Sequence, residues 1–243
     1  MSCGTLYFRQ FDDESARATR ACEATHRKVT IMEPQFWHDR WAKNEIGFHK
    51  GEANPLLVTY FKELALAKGS RIFVPLCGKT LDISWLLSNG YRVAGAELSA
   101  IAIEQLFTEL GAKPTITRNG GIDRYHAPDI DIFVGDIFDV TNTMLGPVDA
   151  MYDRAALVAL PENMRSRYTA HVTAITNHAP QLLVCYEYDQ RAAEGPPFSI
   201  SHEEVRRHYA HRYQLRLLAS EDVPGGLKGK CAATEHVWLL RKN

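Results

Sequence analysis

The 243-residue sequence lacks the features that mark nucleic-acid-binding, membrane and secreted proteins. It has no long run of Lys and Arg, and its formal net charge is −1, so nothing predicts strong attraction to phosphates. It has no apolar stretch of the roughly 18 residues that cross a bilayer. Acidic residues at positions 12–14 stand where a secretory leader needs an apolar core. We therefore expect a cytosolic protein that binds neither nucleic acid nor membranes.

Disulfide and metal-binding patterns are also missing. The five cysteines are scattered and no two of them form a CxxC pair, so neither a disulfide framework nor a structural zinc site is expected. The ten histidines do not form HExxH or another common ligand spacing, although His208 and His211 are three residues apart on a predicted helix. The sequence therefore predicts reduced thiols and no metal site.

The chain is long enough for one catalytic domain with a sizeable core, since 45% of its residues are hydrophobic. Residues 1–31 mix basic, acidic and small polar side chains and have little periodicity. Met32 then opens a segment typical of the start of a folded domain. We expect residues 1–31 to be an extension, either poorly ordered or the result of an overlong start, and residues 32–243 to be the domain. A transit peptide is the alternative, which the acidic residues disfavour.

Beyond the extension, strand-like and helix-like segments alternate, which is typical of a parallel sheet with helices on both faces. Residues 71–75 predict a strand, 81–88 a helix and 92–96 a second strand, followed by a helix that Ser99 caps and Gly111 ends. Further strands are predicted at 130–134, 150–152, 181–186, 214–218 and 237–240, with helices at 162–177 and 202–211. A Gly-rich connection joins the last two strands, which favours an antiparallel pair. The prediction is an α/β fold with a seven-stranded, mostly parallel Rossmann-like sheet and an antiparallel edge strand.

The second strand ends at an acidic residue in a position suited to a ribose. Ligands of such sheets bind beyond the carboxyl ends of the strands. Glu97 lies about twenty residues after the first turn, where an acid accepts hydrogen bonds from both ribose hydroxyls. This position predicts a nucleoside-containing cofactor, with a solvated acid at a strand end as the alternative.

The loop after the first strand indicates which nucleoside cofactor fits. It has one glycine, Gly78, in place of the three of GxGxxG, and Pro75 lacks an N–H that a pyrophosphate would use. NAD and FAD are therefore disfavoured, whereas S-adenosylmethionine has no phosphate and passes over a less Gly-rich turn. After the third strand, Asp136 is placed to accept from the adenine amino group and Ile137 to pack against the ring. A solvated turn acid is the alternative for Asp136.

Six motifs follow one another in the order found in one enzyme family. They are residues 36–41 (FWHDRW), 47–49 (GFH), 74–82 (VPLCGKTLD), 96–99 (AELS), 152–157 (YDRAAL) and 195–198 (GPPF). Together they resemble the thiopurine S-methyltransferase family in its bacterial form. The resemblance runs from about Met32 to the C-terminus and does not include the extension.

The resemblance implies that an N-terminal helix bearing two tryptophans folds over S-adenosylmethionine. The cofactor-binding residues it implies are Trp41, Leu76, Gly78, Glu97, Leu98, Asp136, Ile137 and Arg154. The residues expected at the acceptor are Trp37, Phe48, Pro196, Pro197 and Phe198. Without the resemblance, tryptophans at i and i+4 would indicate an ordinary core-facing helix stripe.

The expected chemistry needs alignment of the reactants more than acid–base catalysis, because a sulfonium methyl is already activated. Arg154 is the catalytic candidate, since a permanent positive charge would favour a thiolate acceptor and hold it. Asp153 is expected to orient Arg154, and a weak surface ion pair is the alternative for these two residues. Cys77 is interpreted as a small residue in a tight turn and not as a nucleophile.

The predicted reaction is methyl transfer from S-adenosylmethionine to the sulfur of a small aromatic or heterocyclic thiol, which leaves S-adenosylhomocysteine. Selenium or tellurium species are further candidate acceptors. The alternatives are a nitrogen or oxygen acceptor, or a non-catalytic protein that binds S-adenosylmethionine, because the Gly- and Lys-rich segment 224–233 leaves the acceptor open. A nucleic-acid base methyltransferase is disfavoured, since no basic face or DPPY-like loop is evident. A monomer is expected.

Overall fold

The computed structural model describes Met1, residues 34–47 and residues 51–243. Within these ranges, nine strands form one sheet in the order β3-β4-β5-β2-β1-β6-β7-β9-β8. The strands are β1 (Arg71–Pro75), β2 (Arg92–Glu97), β3 (Thr115–Asn119), β4 (Ile122–Ala127), β5 (Ile130–Val134), β6 (Ala150–Arg154), β7 (Gln181–Tyr188), β8 (Tyr213–Asp222) and β9 (Ala233–Lys242). The α-helices are α1 (Pro34–Ala42), α2 (Pro55–Tyr60), α3 (Leu81–Ser88), α4 (Ala100–Glu109), α5 (Asn142–Leu145), α6 (Glu162–Ile175) and α7 (His202–Tyr209).

The centre of the sheet is parallel, as predicted. Strands β5, β2, β1, β6 and β7 all run in the same direction, so their carboxyl ends meet at one edge of the sheet. β1 lies between β2 and β6, so the strand order reverses beside β1. This reversal is where open α/β sheets bind their ligands.

The first βαβ unit forms as predicted, with Ser99 and Gly111 at the ends of its second helix and Thr80 as a further cap at the start of the first. The Thr80 hydroxyl accepts from the Asp82 N–H at the start of α3, and the Ser99 hydroxyl accepts from the Ala102 N–H at the start of α4. Gly111 follows α4 with φ +64°, a left-handed conformation that favours glycine. These caps fix the ends of both helices beside the loops that follow β1 and β2.

The hydrophobic core consists of two layers, one on each face of the sheet. The layer beneath α2, α3 and α4 includes Leu57, Phe61, Ile83, Leu106 and Val184. The layer beneath α6 and α7 includes Phe73, Tyr168, Val172, Leu183 and Trp238. Because both faces are covered, most residues of the central strands are buried, and the strand sequences are rich in apolar residues.

All seven predicted strands are present, and the sheet contains two further strands, β3 and β4. β3 and β4 form an antiparallel hairpin that pairs with β5. Every residue of β3 is exposed, so its sequence carries no apolar alternation. At the other side, β8 and β9 pair antiparallel as predicted, with β9 inserted against β7 and β8 at the edge. Over the described ranges, no helix is long and apolar enough to cross a bilayer.

Candidate active site

The loop after β1 is shaped by one glycine and closed by a tryptophan. Leu76 and Gly78 have φ values of 45° and 50°. A Cβ at Gly78 would lie 3.0 Å from the indole of Trp41, which is buried. The single glycine therefore lets α1 pack its second tryptophan directly on the loop. Trp37 is partly buried and contacts Phe36 edge to face, with ring centroids 5.2 Å apart.

Glu97 at the end of β2 holds this loop through its carboxylate. One oxygen accepts from the Gly78 N–H at 2.8 Å, and the other accepts from the Ser99 N–H at 2.9 Å. Burial raises the pKa of Glu97, while the backbone hydrogen bonds from Ser99 and Gly78 oppose that rise. A carboxylate has about four acceptor positions, and these two donors use half of them. The residues present therefore fit a ribose, whose two hydroxyls would take the other half.

Asp136 lies beside Glu97 because β2 and β5 are paired. The Gly135 N–H donates to the Glu97 carbonyl at 2.9 Å, which brings the ends of the two strands together. Asp136 is exposed and accepts from the Phe138 N–H at 2.9 Å, whereas Ile137 is buried. Leu98 is partly buried at the end of β2. A polar acceptor thus stands next to an apolar side chain, as adenine recognition requires.

Arg154 lies at the end of β6, and its carboxylate neighbour is Asp82. The Nη1 atom of Arg154 is 3.7 Å from Oδ2 of Asp82, and the Arg154 side chain is 11% exposed. Asp82 also accepts from the Asn54 N–H at 2.7 Å and from the Tyr152 hydroxyl at 3.1 Å. Asp82 is therefore held rigidly from two sides. Sequence reasoning missed it, because it lies in the first turn of α3, seventy-two residues before Arg154 in the chain.

The predicted pairing of Asp153 with Arg154 is wrong. β6 continues to Arg154, so the two neighbouring residues point to opposite faces of the sheet. The Asp153 carboxylate accepts from the Tyr168 hydroxyl at 2.8 Å and from the Leu157 N–H at 3.1 Å, beneath α6. Asp153 therefore fixes the chain after β6 and does not orient the guanidinium.

Burial raises the pKa of Asp153 from its usual value of 3.8 to about 6. Between these values the folded protein keeps a proton that the unfolded chain has released, so this residue makes stability fall as pH rises from about 4 to about 6. Asparagine does not ionise. We expect the stability of Asp153→Asn relative to wild type to rise by about 3 kcal/mol over this range. Urea unfolding at several pH values measures this, with the exposed Asp139→Asn as control. A stability difference between Asp153→Asn and wild type that does not change with pH would contradict the raised pKa of Asp153.

Cys77 is buried in the loop after β1, with its N–H donating to the Ala96 carbonyl at 3.0 Å. Burial, followed by the negative charge of Glu97, raises the pKa of the Cys77 thiol well above its usual value. The thiol is therefore neutral at physiological pH. This supports its interpretation as a small residue of the turn.

The Gly-Pro-Pro-Phe segment forms a folded loop after β7. The Gly195–Pro196 and Pro196–Pro197 peptide bonds are both cis. The Pro197 carbonyl accepts from the Tyr188 hydroxyl at 2.7 Å, and the Phe198 ring lies 5.4 Å from the Arg165 guanidinium. The loop is thus anchored on β7 and over α6. Phe48, the remaining residue expected at the acceptor, lies outside the described residues, as does almost all of segment 1–31.

Lys228 brings the Gly- and Lys-rich segment 224–233 to this loop. Its Nζ atom donates to the Pro196 carbonyl at 2.7 Å. Burial, followed by the charges of Arg40 and Lys230, lowers the pKa of Lys228. Arg40 belongs to α1, so positive groups from α1 and from this segment come close enough to repel one another. Only the folded chain shows this proximity, because the residues are far apart in sequence.

The comparisons with known proteins agree with this geometry. Residues 32–243 match the family model of thiopurine S-methyltransferase. A thiopurine S-methyltransferase of Xanthobacter autotrophicus is 58% identical over 212 residues, which cover 87% of this chain and 100% of the relative. One of Teredinibacter turnerae is 50% identical over 212 residues, which cover 87% of this chain and 99% of the relative.

Solved structures share the fold at low sequence identity. The 1,6-didemethyltoxoflavin-N1-methyltransferase of Burkholderia thailandensis, with bound S-adenosylhomocysteine, has a TM-score of 0.59 at 12% identity and covers 98% of this chain and 94% of its own. The magnesium protoporphyrin IX methyltransferase of Synechocystis PCC 6803, also with bound S-adenosylhomocysteine, has a TM-score of 0.54 at 12% identity. The match covers 86% of this chain and 100% of that protein. The predicted family and fold are therefore confirmed. The chain belongs to the thiopurine S-methyltransferase family, whose members are S-adenosylmethionine-dependent methyltransferases.

Proposed function

We propose that this enzyme transfers the methyl group of S-adenosylmethionine to the sulfur of a small aromatic or heterocyclic thiol. The observation that carries the proposal is the placement of Glu97 and Arg154 on the two strands that flank β1. The ends of these strands are two strand spacings, or about 10 Å, apart. One end suits the ribose of a bound nucleoside, and the other presents a positive charge where an acceptor would meet the methyl group.

Positive charge near the acceptor supports a sulfur nucleophile. A thiol reacts as its thiolate, and an adjacent cation favours ionisation. Arg154 is largely buried, so its charge is screened less than that of a surface arginine. Lys228 adds positive charge beside Pro196, and Arg40 is close enough to lower the pKa of Lys228. An alcohol acceptor would need a general base to remove its proton. Methylation of a neutral amine places a positive charge on nitrogen, which these cations would oppose.

The residues of the chain would act by binding and alignment. When bound, S-adenosylmethionine supplies a methyl group on a sulfonium, which is already activated for displacement. Glu97 would hold the ribose, and Asp136 with Ile137 would hold the adenine. Asp82 would keep the Arg154 guanidinium in place, and Trp41 would cover the loop at Gly78. Holding the reacting atoms about 3 to 3.5 Å apart and in line accounts for most of the expected acceleration.

A methylation assay with matched acceptors tests this proposal. Purified protein is incubated with S-adenosylmethionine and 6-mercaptopurine, with aniline, or with catechol, and the products are identified by mass. We expect methylation of 6-mercaptopurine at sulfur and little product from the amine or the phenol. Preference for the amine or phenol would overturn the proposal. Binding of S-adenosylhomocysteine without transfer to any acceptor would support the non-catalytic alternative, and selenite in a parallel reaction tests the selenium prediction.

Residues 1–31 are proposed to take no part in catalysis. The family match begins at residue 32, and all motifs of the sequence that carry the resemblance follow it. A chain that starts at Met32 is expected to keep kcat and KM for 6-mercaptopurine within about twofold of the full chain. A loss of more than tenfold, with unchanged thermal stability, would contradict this proposal.

The enzyme is further proposed to act in the cytosol as a monomer on small molecules and not on nucleic acid. The net charge of −1 offers no attraction to phosphates, and the acceptor pocket is expected to be lined by a stiff Pro-Pro loop. Light scattering measures the mass in solution, for which 27.4 kDa is expected.

A further inference from the structure

Three side chains that can bind a metal ion meet at the side of the sheet formed by β7 and β9. They are Glu187 on β7, His202 at the start of α7 and His236 on β9. Their ligand atoms all lie within 4.8 Å of one another. Oε2 of Glu187 is 3.1 Å from Nε2 of His236 and 3.9 Å from Nε2 of His202.

The strand register brings these residues together. Cys185 on β7 is directly opposite His236 on β9, so Glu187, two residues further along β7, faces the same side of the sheet. The imidazole rings of His202 and His236 are in edge-to-face contact with centroids 4.3 Å apart. His202 also packs edge to face on Trp238, which fixes the position of its ring. The cluster is therefore held by packing on three elements.

His202 points a buried nitrogen into the cluster. Its Nε2 atom is inaccessible to solvent and makes no hydrogen bond within the described part of the chain. At 3.9 Å the Glu187 carboxylate is too far away for a hydrogen bond. A buried polar atom without a partner is costly, and a bound ion is one way to satisfy it.

The second histidine, His236, has a polar neighbour at the ring nitrogen that would not bind the metal ion. The Ser220 hydroxyl is 2.9 Å from Nδ1 of His236, which leaves Nε2 directed at Glu187. Metal-binding histidines use their second nitrogen in this way, and the contact fixes the tautomer and the ring orientation. The His236 side chain is only 5% exposed, whereas those of Glu187 and His202 are 40% and 41% exposed, so an ion can enter from solvent.

We propose that Glu187, His202 and His236 bind one divalent transition-metal ion of the zinc class, with water in the fourth position. Ligand atoms at 2.0–2.1 Å from a tetrahedral zinc lie about 3.4 Å apart. The separations of Glu187 from His236 and His202, 3.1 and 3.9 Å, lie on either side of this value, and all three ligand atoms lie within 4.8 Å of one another. Two imidazoles and one carboxylate form a ligand set that zinc accepts.

The site is structural and separate from the methyl-transfer site. Arg154 is in register with Val184, and His236 is in register with Cys185, so the two sites lie on opposite faces of the sheet. A metal ion there would join β7, α7 and β9. The first turn of α7 follows the Gly-Pro-Pro-Phe loop by four residues, so the ion would also secure one end of that loop.

Zinc titration of tag-free, demetallated full chain tests the proposal. Calorimetry is expected to show one zinc site per chain, and Co²⁺ is expected to give the intense visible bands of four-coordinate cobalt. His202→Ala and Glu187→Gln should each weaken zinc binding at least tenfold, because each removes a ligand. His211→Ala, an exposed histidine outside the cluster, is the matched control and should leave this binding unchanged.

Two results would overturn the proposal. One is a wild-type chain that binds no zinc, and the other is His202→Ala binding zinc as tightly as wild type, which would place the ion elsewhere. His202 is partly exposed, so this variant is expected to fold, and circular dichroism checks that it does. A rise in melting temperature with zinc that occurs in wild type and His211→Ala but not in His202→Ala would support the site.

Discussion

Glu97→Ala is expected to weaken the binding of S-adenosylhomocysteine at least about a hundredfold. Hydrogen bonds to a charged group contribute about 1.5–3 kcal/mol each, and two ribose hydroxyls would donate to this carboxylate. Their combined loss of about 3 kcal/mol or more corresponds to a factor of about 150 in Kd. The substitution also removes the acceptor of the Gly78 and Ser99 N–H groups, which hold the loop after β1. Calorimetric titration with S-adenosylhomocysteine measures the effect.

Two further variants make the Glu97 result specific. Glu97→Gln keeps one carbonyl acceptor and its size, so an intermediate loss is expected. Glu104→Gln changes an exposed glutamate on α4 and should bind as wild type. If Glu97→Ala bound S-adenosylhomocysteine within about threefold of wild type, the ribose assignment would be wrong.

Arg154→Ala is expected to lower kcat for 6-mercaptopurine more than tenfold, which is a loss of at least about 1.4 kcal/mol of transition-state stabilisation. The guanidinium is largely buried and is held near Asp82, and in its proposed role its charge would act on the acceptor at short range. Without it, the bound thiol ionises less readily. The deficit should therefore shrink as pH rises and the thiol ionises unaided. Steady-state kinetics from neutral to alkaline pH measures both effects.

Two further variants distinguish the loss of the Arg154 charge from a general effect on the fold. Arg154→Lys keeps the charge but loses the planar fork of donors, so partial activity is expected. Arg212→Ala, an exposed arginine that contacts His178, should keep full activity. Near-wild-type turnover of Arg154→Ala, with its fold intact, would refute the assigned role.

The predictable part of the fold is the part whose signals are local. The apolar run of β1, the cap Ser99, and Gly111 each act within a few residues, and the structure has elements where they predict them. β3 and β4 were not predicted, because β3 is wholly exposed and pairing alone holds it in the sheet. β6 ends at Arg154, two residues beyond its predicted end, so the side chains of Asp153 and Arg154 point to opposite faces of the sheet.

The residues of the candidate sites also fall into those with a local sequence signal and those without one. Residues at or just after the end of a strand, such as Glu97 and Asp136, are recognisable in sequence because strand ends meet at one edge. Asp82, Lys228 and the cluster of Glu187, His202 and His236 depend on contacts between distant segments. Ligand spacing along the chain, on which the expectation of no metal site rests, does not show the register of β7 with β9 that places Glu187 near His236.

A crystal structure with S-adenosylhomocysteine would show whether Glu97 binds the ribose of the cofactor. We expect both ribose hydroxyls within hydrogen-bond distance of the Glu97 carboxylate, adenine against Asp136 and Ile137, and the cofactor sulfur directed to the side of Arg154. A nucleoside bound elsewhere, with Glu97 still satisfied only by Gly78 and Ser99, would contradict it.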